Sequence, residues 1–198
     1  MDASVAQQTR RRAVGLVAAL NLGYFGIEFA VAQAIGSVSL FADSVDFLED
    51  ASVNLLILLA LRWSARNRAR LGMALAALLL VPGLATLFTA WQKLSLPVAP
   101  SPLPLSLAGL GALAVNLSCA LMLARHRHHG GSLMRAAFLS ARNDALANVA
   151  IVAAGIVTAY VWRSAYPDLI VGLAVAAINA DAAREVFLAA REEHQAVP

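Results

Sequence analysis

The stretch LFADSVDFLEDASVNLL, residues 40–56, is apolar enough for a membrane helix, and yet it carries several acids. A charged residue at mid-span costs about 2.5–3.5 kcal/mol, so four ionised acids facing lipid would cost on the order of 10 kcal/mol. These side chains must therefore face protein, water or a cation. The four acids are Asp43, Asp46, Glu49 and Asp50.

A polar stripe follows one side of this helix. At 100° per residue, Asp43, Asp46, Asp50 and Asn54 lie within about 80° of one another, whereas Glu49 points about a third of a turn away. Two carboxylates one turn apart repel strongly in a low dielectric unless they share a proton or a metal ion. The pattern therefore favours Asp46 and Asp50 as ligands. Asp43 and Glu49 are accessory candidates, or structural acids that hydrogen-bond to neighbours.

The whole composition is typical of an integral membrane protein. Of the 198 residues, 60% are hydrophobic and 14% are charged, with a mean hydropathy of +0.71, against about 45–50% and 25% in soluble domains. The single Cys119 excludes a disulfide framework or a cysteine zinc site and suggests packing. The net charge of +3 comes from short basic clusters between apolar runs, so no nucleic-acid partner is expected.

Six apolar runs are long enough to cross the bilayer, and they predict an all-α integral membrane protein, a six-transmembrane-helix bundle. Asn21, Glu28 and the length of the first run argue against a cleaved signal peptide. The runs cover about 13–35, 38–62, 71–91, 104–124, 134–161 and 168–188.

The basic residues predict the orientation of these spans. Twelve arginines fall on one side, against only Lys93 and Arg163 on the other, which puts both termini in the cytoplasm. We expect a cytoplasmic tail at 1–12, one membrane domain at 13–188 and a short cytoplasmic tail at 189–198. The expected location is multi-pass in a membrane, the inner (plasma) membrane of a bacterium.

The fifth run contributes Asp144, which, like Asp46 and Asp50, is expected near mid-membrane. Ser140 lies one turn before Asp144 and Asn143 is adjacent, so oxygen ligands from two helices can converge on a divalent cation. Arg142 would oppose such a site, and we expect it to snorkel or to pair with Glu28 or Glu49.

These residues resemble the cation diffusion facilitator family of metal transporters, and the resemblance extends across all six spans. The family pattern of the first span is matched by Asn21, Glu28 and Gly36-Ser37. The acidic motif of its second span is matched by FADSVDFLED, residues 41–50, and its sixth by YPDLIVGLAVAAI, residues 166–178.

The resemblance implies a transport site made of Asp46, Asp50 and Asp144, with Ser140 at the fourth position. Zinc-transporting members commonly have His where this chain has Asp46, so the site is expected to use oxygen ligands alone. Ser is a poor ligand, and Asn143 is the candidate to replace Ser140. Glu28 and Asn54 are further accessory candidates. The family implies Zn²⁺ as the substrate, with Mn²⁺, Fe²⁺ and Co²⁺ as alternatives.

The resemblance also implies cation/proton antiport that exports metal from the cytoplasm, with the lipid bilayer, the cation and protons as partners. Family members usually end in a cytoplasmic metal-binding domain that supports dimerisation; the chain looks like a truncated member, and a homodimer stays open. The loop between spans four and five contains His126, His128 and His129, which either collect metal or only form a solvated basic loop.

Two alternatives stay open. The first is a metal-binding or partner subunit that keeps the fold without transporting. The second is an intramembrane aspartyl protease, which would pair Asp46 or Asp50 with Asp144, but neither acid lies in a Gly-x-Gly-Asp-like stretch. An enzyme is therefore not expected.

Overall fold

The structure is a computed structural model that describes residues 3–60, 84, 86–95, 97–125 and 131–195. Within these ranges the regular structure is helical and contains no strand, which confirms the predicted all-α fold. The helices are α1 (Ala3–Ile35), α2 (Val38–Ala60), α3 (86–95), α4 (Pro102–Ala124), α5 (Gly131–Tyr160) and α6 (Tyr166–Gln195). Most of the predicted third span, 71–91, lies outside the described residues, and α3 overlaps its end.

Three stretches of these helices are long and apolar enough to cross a membrane by themselves. They are Arg11–Ile35, Pro102–Ala124 and Ala141–Tyr160, and a shorter apolar stretch covers Tyr166–Ile178. Large apolar side chains on these helices are exposed, including Ile27, Leu117 and Leu146. An apolar exterior suits hydrocarbon rather than water, so the chain is a multi-pass membrane protein.

Helix α2 occupies the centre of the bundle, since it packs against α1, α5 and α6, while α4 packs against α5 and α1. Small residues allow close approach of the helices, as is usual in membranes. A Cβ added to Gly172 on α6 would lie 2.7 Å from the backbone nitrogen of Ser39, and one added to Gly109 would lie 3.1 Å from the Ile151 side chain.

The sharp turn between α1 and α2 depends on Gly36, whose φ of +62° belongs to the left-handed region that favours glycine. The turn leaves the first N–H groups of α2 without partners inside their own helix. Asp168, in the first turn of α6, supplies the missing acceptor. Its carboxylate accepts hydrogen bonds from the backbone N–H of Val38 at 2.9 Å and of Ser39 at 3.2 Å.

Two hydroxyls and a lysine complete this contact, which we call the Asp168 junction (Gly36–Ser39, Lys93 and Asp168). The hydroxyls of Ser37 and Ser39 each donate to Asp168 Oδ1 at 2.6 Å. Lys93 Nζ of α3 lies 3.2 Å from Asp168 Oδ2 and also donates to the Gly36 carbonyl. The junction therefore joins α3 and α6 to the start of α2, and it fixes the position of the first turn of the acidic helix relative to both of them.

Candidate functional site

The acids of α2 all lie inside the protein. Asp43 is completely buried, and Asp46, Glu49 and Asp50 are between 7% and 9% exposed. Asn54, one turn beyond Asp50, is also buried. The bundle thus surrounds the polar stripe of α2 with protein, and the acids avoid the cost of facing lipid.

Acids from two helices converge on Asp46. Asp144 of α5 is half-buried, and it interacts electrostatically with Asp46, as do Asp43, Glu49 and Asp50. Like charges held together in a low-dielectric interior repel one another strongly. The arrangement therefore favours any cation that enters among these carboxylates.

Asn21 of α1 helps to orient Asp50. Its Nδ2 donates to Asp50 Oδ2 at 3.4 Å, and its Oδ1 accepts a hydrogen bond from the Cys119 thiol at 3.6 Å. Asn21 and Cys119 are both completely buried. Cys119 thus packs in the core as predicted, and it also holds the amide that contacts the acid.

Two buried asparagines repeat the same geometry on α2 and α5. Asn54 Nδ2 donates to the Asp50 backbone carbonyl, and Asn148 Nδ2 donates to that of Asp144, each at 2.8 Å. The Oδ1 atom of each amide is buried and has no hydrogen-bond partner in the described ranges. Each acid is thus followed, one turn later, by an amide oxygen with free acceptor capacity, which is a hard ligand for a cation.

Asn148 is the residue that the sequence prediction missed. Its signal was available, because Asp144 and Asn148 have the same i, i+4 spacing as Asp50 and Asn54. The amide is 0% exposed, as expected for a side chain on the inner face of α5.

Asn143 lies elsewhere. It is exposed, and its Oδ1 accepts a hydrogen bond from Arg142 Nη2 at 3.2 Å, so the structure does not bring it to the converging acids. Of the alternatives expected for Arg142, the pair with Glu28 is not formed among the described residues, since Arg142 is exposed and donates to Asn143; snorkelling and a pair with Glu49 stay predictions. Neighbouring positions on a helix point about 100° apart, which separates Asn143 from Asp144.

The remaining candidate residues differ in where the structure places them and in whether their side chains are described. Glu28 of α1 is completely buried beside Asp43, and Glu49 is buried with Asp50 as its charged neighbour. Ser140 belongs to α5, but its side chain lies outside the described residues, as do the loop histidines His126, His128 and His129. Among the residues that the structure describes, no three acidic, His or Cys side chains are grouped closely enough to hold a metal ion.

Comparison with known proteins identifies the family. The family described as the cation efflux transmembrane domain matches residues 14–193, nearly the whole chain. No curated protein sequence matches the chain. Because the family match includes both helices that carry the converging acids, the chain belongs to the cation efflux family, whose members transport metal cations across membranes.

Proposed function

We propose that this chain moves a divalent metal cation through a site formed by Asp46, Asp50 and Asp144, in exchange for protons. The observation that supports the proposal is the burial of Asp46 among acids of two different helices. A divalent cation compensates the repulsion between these carboxylates, and its removal restores that repulsion unless protons take its place.

The available ligands are oxygen atoms. Three carboxylates are supplemented by the amide oxygens of Asn54 and Asn148. Ser140 occupies the fourth position of the family's site, where its hydroxyl is a weaker ligand than the His or Asp usual there. Oxygen-only sets suit hard cations, whereas thiolate and imidazole ligands favour softer ones. We therefore place Mn²⁺ and Fe²⁺ beside Zn²⁺ and Co²⁺ as substrates to be tested, rather than assume zinc.

Exchange with protons follows from the same electrostatics. With no cation bound, a cluster of adjacent carboxylates retains at least one proton, since a further negative charge nearby is unfavourable. An entering M²⁺ expels that proton, and protons from the opposite side later displace the metal. Exposure of the site to one side at a time then converts proton entry into metal export from the cytoplasm.

The setting of this cycle is proposed on the sequence pattern. The arginine distribution puts both termini in the cytoplasm, and we propose the plasma membrane of a bacterium as the location. In that orientation the sequence segment with His126, His128 and His129 is on the cytoplasmic side, where imidazoles can collect metal. Assembly into a homodimer is part of the same proposal.

The test is metal uptake by proteoliposomes that contain this chain alone, across Zn²⁺, Mn²⁺, Fe²⁺ and Co²⁺. We expect uptake of at least one metal, and a loss of at least tenfold in D50N and in D144N. The matched control is D181N, because Asp181 is an exposed acid of α6 that lies 3.9 Å from Arg184. Absence of uptake for every metal would instead support a non-transporting partner subunit.

A further inference from the structure

A second pair of acids lies between α1 and α2. Glu28 and Asp43 are each 0% exposed, and Asp43 is the charged group that interacts most strongly with Glu28. All four carboxylate oxygens are buried, and in the part of the chain that the structure describes no group outside the pair donates a hydrogen bond to them. The two carboxyl groups are close enough to hydrogen-bond to each other, which requires a proton on one of them. Burial of an uncompensated carboxylate is costly, so when both acids are ionised the pair requires a positive charge that the described residues do not supply.

The side chains best able to fill this role are engaged elsewhere. Lys93 binds Asp168 at 3.2 Å, and Arg142 is exposed on α5. The Tyr24 hydroxyl, one turn before Glu28, donates to the Ala108 carbonyl at 2.7 Å. These three side chains therefore supply neither a positive charge nor a hydrogen bond to the pair.

The pair is displaced along the bundle from the central acids. Glu28 lies seven residues before the end of α1 and Asp43 five residues after the start of α2. At about 1.5 Å per residue, both are about 7–10 Å from the α1–α2 turn. Asp46 and Asp50 lie about 12–18 Å from the same turn. The two sets of acids are therefore adjacent along the bundle axis, and Asp46 interacts electrostatically with both members of the pair.

We propose that Glu28 and Asp43 form a second divalent-cation site, closer to the α1–α2 turn than the central site. Two carboxylates carry a charge of −2, which one M²⁺ neutralises, whereas a single shared proton would leave one negative charge in the interior. Their four oxygens are hard ligands of the kind that such ions bind, with water completing the shell. The inference rests on the proposed transport of a divalent cation. It adds a second binding site for that cation between the central acids and one membrane face.

The experiment counts bound ions rather than flux. Purified full-length protein in detergent is dialysed to equilibrium against Mn²⁺, and bound metal is measured by mass spectrometry. Mn²⁺ prefers carboxylate and carbonyl oxygens to imidazole, so the loop histidines should not add to the count. We expect two Mn²⁺ per chain in the wild type, one in E28Q and one in D43N. The conservative E28D variant keeps the carboxylate and should keep two ions, as should the surface control D181N. Electron paramagnetic resonance should show dipolar broadening between the two ions, and E28Q should remove it.

The result that overturns the inference is a wild type that binds one ion, or an E28Q and D43N pair that binds as many ions as the wild type. D43N serves as the second test should E28Q fail to fold, because the two substitutions lie on different helices. The double variant D50N/D144N separates this inference from the proposed function. It should retain one ion at the Glu28–Asp43 pair while losing uptake, and unchanged uptake in that variant would contradict the transport site alone.

Discussion

Removal of the Asp168 carboxylate should be one of the most destabilising single changes in the described part of the chain. In D168A, Lys93 keeps its hydrogen bond to the Gly36 carbonyl but loses its charged partner, at a position where its side chain is only 7% exposed. Breaking a buried ion pair from one side costs about 3–5 kcal/mol, because the remaining charge stays buried. The two N–H groups and the two hydroxyls that donate hydrogen bonds to Asp168 also lose their acceptor. These losses are not additive, and we expect the free energy of unfolding to fall by about 5 kcal/mol.

The lysine variant should cost less. In K93M, Asp168 keeps four hydrogen bonds from the start of α2, where the helix dipole also favours its negative charge. We expect a loss of about 3 kcal/mol for K93M. In the double variant D168A/K93M no uncompensated lysine remains, so its loss should be at least about 2 kcal/mol smaller than the sum of the single losses.

The assay is reversible denaturant unfolding in detergent micelles, followed by tryptophan fluorescence. The surface control is D181A, since the Asp181–Arg184 pair is exposed and such pairs contribute about 0–1 kcal/mol. Single losses that add to within about 0.5 kcal/mol in the double variant would show that Asp168 and Lys93 do not interact, and would refute this account of the junction.

Three further outcomes are expected. G172A should lower stability by about 2 kcal/mol, because its Cβ would meet backbone atoms at 2.7 Å, whereas the control G26A meets nothing within 4 Å and should be neutral or slightly stabilising on the same unfolding measurement. N21A should weaken Mn²⁺ binding about fivefold in equilibrium dialysis, since the loss of a long hydrogen bond to Asp50 costs about 1 kcal/mol; unchanged binding would remove its positioning role. Metal uptake by inverted vesicles should fall as the lumen is made alkaline, because fewer protons are then available to displace the metal from its carboxylates; uptake that is flat across a series of lumen pH values would contradict the exchange mechanism.

The helices and the buried acids were predictable from local patterns. Long apolar runs indicate membrane helices, and the repeat of Asp43, Asp46 and Asp50 marks one face that lipid cannot cover. This face is buried, as the prediction required. The same periodicity identifies Asn148 once Asp50 and Asn54 are taken as the template.

The other features depend on tertiary contacts that no local pattern contains. Asp168 meets Ser37 across 131 positions of sequence, and a Pro-Asp pair at a helix start gives no indication of which helix it will contact. Asn143 is next to Asp144 in sequence, but it points to a different side of the helix and instead binds Arg142. Proximity along the chain was a poor guide there, because helical geometry separates adjacent side chains.

The Asp168 junction also limits how this bundle can change shape. The start of α2 is bonded to α6 through the carboxylate and to α1 through a turn of two residues, so α2 cannot slide along its axis without carrying both neighbours. A pivot at that end is the motion that keeps these bonds intact. In such a motion α2 would rotate about its first turn, and the displacement would be largest at its other end, beyond Asn54.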